Sequence, residues 1–461
     1  MIYLYNRNNM GNSINNSKTL TSILLATFMF LSLASFGNSE QARDENVKTG
    51  WRLGGLLPII TFDSDLGLQY GALVNFFDYG DGTRFPRYNH SLYFEVSRFT
   101  GGSGVNRFFY DSDRLINGIR TTFDVTYMTD PLLDFFGFNG YQSVYNSAFI
   151  DPDSEDYISR AFYAFDRKKF RAKLDLQGKI GDGNFGWLSG FETYHVSAGS
   201  VDIERLNKGK AEDLLPDVPG LYDRYVEWGL ISQDEQDGGW VNYLKGGLTY
   251  DTRDHEPNPM RGIWTEAVVF LAPGSLVTGD MGHARLSLAH RQYFTLIPED
   301  LSLAYRINIQ QNIGGQAPFY LQSLVITSFL RSFVSEGLGG RNTLRGILRH
   351  RVVGNGYALG NLELRWKFLY FNIGNTNVYL GLNGFLDAGM VIDNVAFHLD
   401  DVPENKRHLY FEDGNDTPHV SAGAGLRVAI NRNFIVACDF GKAFDKRDGD
   451  TGLYIGLNYL F

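Results

Sequence analysis

The sequence predicts an all-β protein, a transmembrane antiparallel β-barrel of about sixteen strands with a long connection between strands 11 and 12. Three observations predict it. Past one N-terminal apolar run, no stretch approaches the roughly 20 apolar residues that a membrane helix needs, so a helical membrane protein is excluded. Short segments of alternating character recur along the chain, and a strand crosses a bilayer with only about 9 to 11 residues. Tight and long connections also alternate between these segments, as in barrels with short periplasmic turns and long outer loops.

From the N-terminus, Lys18 precedes the apolar run Leu20 to Leu33, and the small residues Ser35 and Gly37 offer a cleavage site before Asn38. This run is too short to span and reads as a secretory signal peptide over 1–37, with Met10 as an alternative start. Residues 38–50 follow as a short periplasmic segment and the barrel occupies 51–461. No cysteine follows the apolar run, so a lipoprotein anchor is not expected. The single cysteine, Cys438, rules out an intramolecular disulfide framework and reads as a free thiol in a wall strand.

Alternation and turn residues place the strands at 55–63, 66–79, 88–100, 104–114, 118–128, 160–178, 185–200, 241–254, 262–273, 282–296, 300–313, 353–370, 375–391, 418–430, 433–443 and 453–461. In the sixth, Phe170, Ala172, Leu174 and Leu176 alternate with Arg171, Lys173, Asp175 and Gln177. In the eleventh, Leu301, Leu303, Tyr305, Ile307 and Ile309 alternate with Ser302, Ala304, Arg306, Asn308 and Gln310. Polar residues on the inner face imply a hydrated interior. The long connections, near 129–159, 201–240, 314–352 and 392–417, all follow odd-numbered strands, which puts them outside if the amino terminus is periplasmic. Gly181-Asp182-Gly183-Asn184 and Asn431-Arg432-Asn433 are tight turns on the opposite side.

Roughly 420 residues after the signal would ordinarily suggest several soluble domains, but a closed wall uses nearly all of them as one. The net charge of −10 concentrates partly in outer loops such as Asp151-Pro152-Asp153-Ser154-Glu155-Asp156 and Asp400-Asp401, which argues against nucleic acid as a partner. The first acidic run reads as a solvated loop, since its spacing fits no calcium loop.

The segment Gly339-Gly340-Arg341-Asn342-Thr343-Leu344-Arg345-Gly346-Ile347 lies in the long connection before strand 12. Alternation places Glu363, Arg365 and Lys367 on one face of strand 12 and Leu362, Leu364, Trp366 and Phe368 on the other, while Asp387 shares a face with Phe385 and Asn383. Both carboxylates then face the lumen, where a guanidinium fork from Arg345 can pair with Asp387 first and Glu363 second. Gly346 would let the backbone pass close to the wall.

These motifs, in this order, resemble the BamA/TamA superfamily of outer-membrane barrels, the bacterial surface antigen family. Its hallmark loop carries Arg-Gly followed by an aromatic, for which Ile347 stands here, and the resemblance implies a long inward-folded loop between strands 11 and 12. Gly360-Asn361-Leu362-Glu363-Leu364-Arg365 and Phe385-Leu386-Asp387-Ala388-Gly389 resemble the strands that follow that loop. Tyr250-Asp251-Thr252-Arg253-Asp254, with Pro257, Pro259 and Gly262, resembles the family's turn between strands 8 and 9. The last strand sets Leu453, Ile455, Leu457, Tyr459 and Phe461 on one face, and Leu457, Tyr459 and Phe461 resemble the C-terminal signal by which such barrels are recognised for insertion.

The resemblance implies a bacterial outer-membrane location and contact with membrane lipids, and no cofactor is expected. Family members that assemble barrels or secrete proteins carry periplasmic polypeptide-transport-associated domains. Only about fifteen residues separate the cleavage site from the first strand, so a barrel-only member is expected, with periplasmic factors or other outer-membrane proteins as partners supplying the receiving domains. Two functions stay open. One is assistance with insertion or translocation of envelope components through a lateral seam, where Pro58 on the first strand and Gly456 on the last, with Gly54 and Gly55 nearby, thin the pairing. The other is a solute channel gated by the loop carrying Arg345. An enzyme is not expected: no Gly-x-Ser-x-Gly, His-Glu-x-x-His or Cys/His metal cluster occurs, and His195 and His290 are isolated in strands.

Overall fold

A computed structural model describes residues 47–85, 87–256, 258–329, 337–373, 376–430, 434–457 and 459–461. The expected signal peptide 1–37, Pro257 and the turn Asn431-Arg432-Asn433 lie outside the described residues. Sixteen antiparallel strands close into one barrel, each beside its neighbour in sequence, with β1 meeting β16. They are β1 (Trp51–Asp63), β2 (Gly67–Asp78), β3 (His90–Phe99), β4 (Gly104–Ile116), β5 (Ile119–Asp134), β6 (Ala164–Lys179), β7 (Phe185–Gly199) and β8 (Gly238–Asp251). The circuit continues with β9 (Gly262–Ala272), β10 (His283–Ile297), β11 (Leu301–Gly315), β12 (Gly356–Ile373), β13 (Thr376–Asp393), β14 (His419–Ile430), β15 (Phe434–Ala443) and β16 (Thr451–Leu457). No helix among the described residues is long and apolar enough to cross a membrane.

Alternation sorts the wall residues as period two requires. Leu362, Leu364 and Trp366 stay 42–48% exposed on the outer face, while Glu363 and Arg365 between them are buried inside. A hydrocarbon-facing belt is thereby built from side chains that would be wasted on water. Several of the inner charges meet in buried ion pairs. Arg167 meets Asp130 at 2.7 Å, Lys245 meets Asp175 at 2.6 Å and Arg291 meets Glu266 at 3.1 Å. Inner residues of β2–β4, such as Gln69, Tyr93 and Arg107, stay partly exposed, so the accessible part of the lumen lies beside β1.

The long connections, 135–163, 200–237, 316–355 and 394–418, follow β5, β7, β11 and β13 and share one end of the barrel. There they form an aromatic core containing Phe135, Phe138, Phe162, Tyr225, Trp228, Phe319, Tyr410 and Phe411. Polar ties lash the same loops together. Asn139 donates from Nδ2 to the Val395 carbonyl at 3.0 Å and accepts from the Val395 N–H at 2.8 Å. His419 bridges Asp448 at 2.6 Å and Asp416 at 3.0 Å, beneath the stacked Tyr141 ring.

Several strand ends depart from the sequence reading: β1 begins at Trp51 rather than 55 and β6 at Ala164 rather than 160, and two further departures have a visible cause. β5 runs on to Asp134 rather than stopping at 128, because a register shift between Asp130 and Leu133 accommodates Pro131, which has no N–H to donate. β16 stops at Leu457 rather than 461. Tyr459 and Phe461, expected on one face with Leu457, are 6% and 5% exposed where Leu457 is 46% exposed. They pack inside the barrel, Tyr459 with Tyr379, Ala429 and Ile435, and Phe461 with Tyr293 and Ala304. Cationic side chains draw the aromatic faces inward. The Arg365 guanidinium lies 4.4 Å from the Tyr459 ring and 4.9 Å from the Phe461 ring.

Candidate functional site

The candidate site comprises the inward-facing segment around Arg345 and the seam it approaches. Residues 316–355 leave β11 at the capped end and return to β12, and the stretch 337–353 lies against the inner wall. Gly339, Gly340 and Gly346 take positive φ values of 122°, 76° and 97°, which let this chain reverse direction in a confined space. Leu338 and Val352 pair across the reversal. The Thr343 hydroxyl accepts from the Gly339 N–H at 2.9 Å and fixes the turn.

That turn delivers Arg345, 1% exposed, to two carboxylates on adjacent strands. Its Nε donates to Asp387 Oδ2 at 2.9 Å and Nη2 to Asp387 Oδ1 at 3.0 Å, while Nη1 donates to Glu363 Oε1 at 2.7 Å. The planar fork thus engages Asp387 through two donors and has one left for Glu363. Opposing Coulombic partners raise the Arg345 pKa further above its ordinary value despite the burial that works against the charge. The face of the guanidinium lies 3.6 Å from the centroid of Phe385 on β13. Ile347, where the family has an aromatic, is buried instead with Val325, Leu344, Tyr357 and Leu359. Phe385 supplies a stacking surface from the wall, a partner that no spacing in the loop could have identified.

Gly346 faces the other way. A Cβ there would lie 2.5 Å from the Gly441 carbonyl carbon, so the segment touches β15 backbone to backbone. Its N–H donates to the Tyr454 hydroxyl of β16 at 3.2 Å. One turn of loop therefore joins β12 and β13 to the last two strands. Arg341, on the same turn, lies over Gly456, where any side chain on the strand would collide with the guanidinium.

Gly456 and Pro58, the expected seam residues, sit on the two strands that meet there. Among the described residues, β16 pairs with β1 in register at Phe62↔Ile455 and Asp63↔Tyr454. The Ser64 N–H adds a bond to the Leu453 carbonyl at 3.1 Å. On its other edge β1 is paired with β2 from Trp51↔Asp78 to Asp63↔Gly67, interrupted by a register shift at Leu53/Gly55. Pro58 is exposed and paired with Ala72 of β2. It offers the seam no N–H. An edge with unpaired backbone groups is a template for another strand.

Leu457 remains on the outer face, 46% exposed, whereas Tyr459 and Phe461 do not join it. Sequence reasoning missed their inner partners, Arg306, Arg365 and Arg427, because those residues lie on three different strands. It also missed the His419 clasp, whose partners come from separate loops. The histidine's alternation on β14 offered no cue.

The chain matches the Omp85 superfamily domain over residues 88–459. Among solved structures it is similar to BamA from Haemophilus ducreyi lacking POTRA domains 1-3, with a TM-score of 0.52 and 16% identity over 89% of this chain and 70% of that one. It is also similar to CdiB from Escherichia coli, with a TM-score of 0.52 and 10% identity over 87% of this chain and 62% of that one. The chain thus spans less than two thirds of the length of CdiB. At these identities the likeness establishes the fold. No curated protein matches the chain by sequence.

Proposed function

The chain belongs to the Omp85 superfamily of outer-membrane insertion and transport barrels, and from that premise we propose that it assists insertion or translocation of outer-membrane proteins or other envelope components through its β1–β16 seam. The observation that carries this reading is the seam itself, closed in register at only two residue pairs among the described residues while β1 is paired to β2 from Trp51 to Asp63 with one register shift. An incoming strand can add to the open edge of β1 by main-chain hydrogen bonding, which needs no particular side-chain sequence. Arg345, Glu363 and Asp387 serve as the docking lock of the loop in this account. The partly exposed inner residues of β2–β4 offer a polar route to that edge.

The alternative, a solute channel gated by the same loop, is less well supported, because the aromatic core of the outer loops fills one mouth of the barrel. Partners in this account are membrane lipids, client outer-membrane proteins and periplasmic factors that deliver them. The segment 1–37 is proposed to direct export and to be removed.

Deleting the gene and quantifying the outer-membrane proteome against the parent strain tests the reading. Selective loss of other barrels or surface lipoproteins is the expected result and would identify the clients. An unchanged proteome would contradict it.

A further inference from the structure

Two cations on the lipid-facing side of the wall have no acid beside them. Arg98 faces outward on β3 with Phe94 and Val96, and Lys168 faces outward on β6 with Phe170; both cations are exposed. Arg98 bonds only to neutral acceptors, the Ser97 carbonyl at 2.7 Å, the Val105 carbonyl at 3.5 Å and Asn106 Oδ1 at 3.3 Å. Lys168 has no hydrogen-bond or ion-pair partner among the described residues, and Asp166, the next acid on that face of β6, is held by Arg205 at 3.0 Å.

A charge without a counter-ion is costly in hydrocarbon, so these two belong among headgroups. The strand register agrees. One row of the outer face runs Val96↔Asn106↔Tyr127↔Phe170↔His195↔Trp240 across β3–β8. Tyr127 and Trp240 in that row are 42% and 47% exposed, and such rings mark the membrane–water interface. The next row toward the long connections is Arg98↔Gly104↔Thr129↔Lys168↔Ser197. Its two cations stand three strand spacings apart, about 14 Å. Gly104 narrows that gap. A Cβ there would lie 2.9 Å from Arg98 Cδ and 3.1 Å from Thr129 Oγ1, so the arginine lies across β4 toward the Thr129 hydroxyl.

We propose that Arg98, Thr129, Lys168 and Ser197 form a binding site for an anionic, phosphate-bearing lipid headgroup in the leaflet at this rim, with the acyl chains lying over Val96, Tyr127 and Phe170. Phosphate oxygens accept charge-assisted bonds from the guanidinium fork and the ammonium, and the two hydroxyls between and beside them supply further donors. Net negative charge on the lipid supplies the counter-ion that the wall omits.

The test titrates the full-length folded barrel in detergent with bisphosphorylated lipid A, or with the same lipid stripped of its phosphates, and counts bound lipid by native mass spectrometry. The phosphorylated lipid should bind in preference. Arg98→Gln and Lys168→Gln should each weaken it by about tenfold, the scale of one charge-assisted hydrogen bond. Lys179→Gln removes the same charge from the opposite end of β6, where it is also exposed, and should leave binding unchanged. All three sites are exposed, so heat-modifiable gel mobility should match the parent. Equal binding of the two lipids, or equal loss in Lys179→Gln and Lys168→Gln, would overturn the proposal. Complete displacement by inorganic phosphate would overturn the assignment to a lipid, because a free anion would then suffice.

Discussion

Replacing Arg345 with alanine tests the docking of the loop most sharply. The substitution removes three charge-assisted donors at 2.7–3.0 Å and the cation lying over Phe385. It strands Asp387 and Glu363, both 0% exposed. Breaking a buried pair costs about 3–5 kcal/mol because the abandoned charge stays desolvated. The lower end applies here. Asp387 keeps the Asn361 side chain at 2.8 Å, and Glu363 keeps Arg365 at 2.8 Å and Asn383 at 3.2 Å. A loss of about 3 kcal/mol raises the undocked fraction of the loop by more than about a hundredfold. Trypsin reports this, since Arg341, Arg349 and Arg351 remain as cleavage sites, and heat-modifiable gel mobility reports whether the barrel closed. Adding Asp387→Asn to Arg345→Ala removes the uncompensated charge and should recover part of the protection. Arg345→Lys should recover less than the native fork, because a point charge cannot span both carboxylates. If Arg345→Ala leaves both protease sensitivity and gel mobility unchanged, the ion triad does not hold the loop.

Further outcomes follow from the same geometry. Gly346→Ala must hold a positive φ of 97° and place a methyl 2.5 Å from the Gly441 backbone, so it should cost at least about 2 kcal/mol and lower the yield of heat-modifiable barrel. Burial, reinforced by Arg349, Arg167 and Lys169, holds the His350 pKa well below its usual value. The unfolded or undocked loop therefore takes up a proton first. Docking should be undiminished above about pH 6.5 and weaken as pH falls below it, by at most about 1.4 kcal/mol per unit. His350→Asn, which tolerates the φ of 58°, should flatten the dependence of trypsin protection between pH 7.5 and 5. Tyr225→Ala empties the middle of the outer aromatic core and should cost about 3–5 kcal/mol. In planar bilayers it should conduct where the parent barrel is nearly silent; equal conductance would show that the cap does not seal that mouth.

Much of the wall was legible in the sequence because a strand that separates lipid from an inner polar face must alternate, and a change of one residue exposes the error at once. β6 and β11 show this, with arginine, lysine and aspartate between aliphatic neighbours. The alternation of long and short connections fixed which end carries the loops. Legibility failed where tertiary partners outweigh local pattern. Pro131 reads as a terminator, yet a bulge lets β5 run past it. Tyr459 and Phe461 continue the alternation of β16, yet buried arginines from other strands draw them inside. At the site, Arg345, Gly346, Glu363 and Asp387 could be named from motif and face. Phe385 as the stacking surface, Tyr454 as the acceptor for Gly346, and the His419 clasp required the fold, because their partners are distant in sequence.

The central claim is that the weakly paired seam must open for the protein to act, and a reversible lock tests it directly. In a Cys438→Ser background, cysteines at Phe62 and Ile455 occupy a registered pair across the seam, at a separation suited to a disulfide. The measurement is the rate at which an unfolded outer-membrane barrel assembles into liposomes containing this protein, with the lock oxidised and then reduced. The account predicts that oxidation abolishes most of the acceleration over empty liposomes and that reductant restores it. Equal acceleration by the locked and unlocked barrels would contradict it.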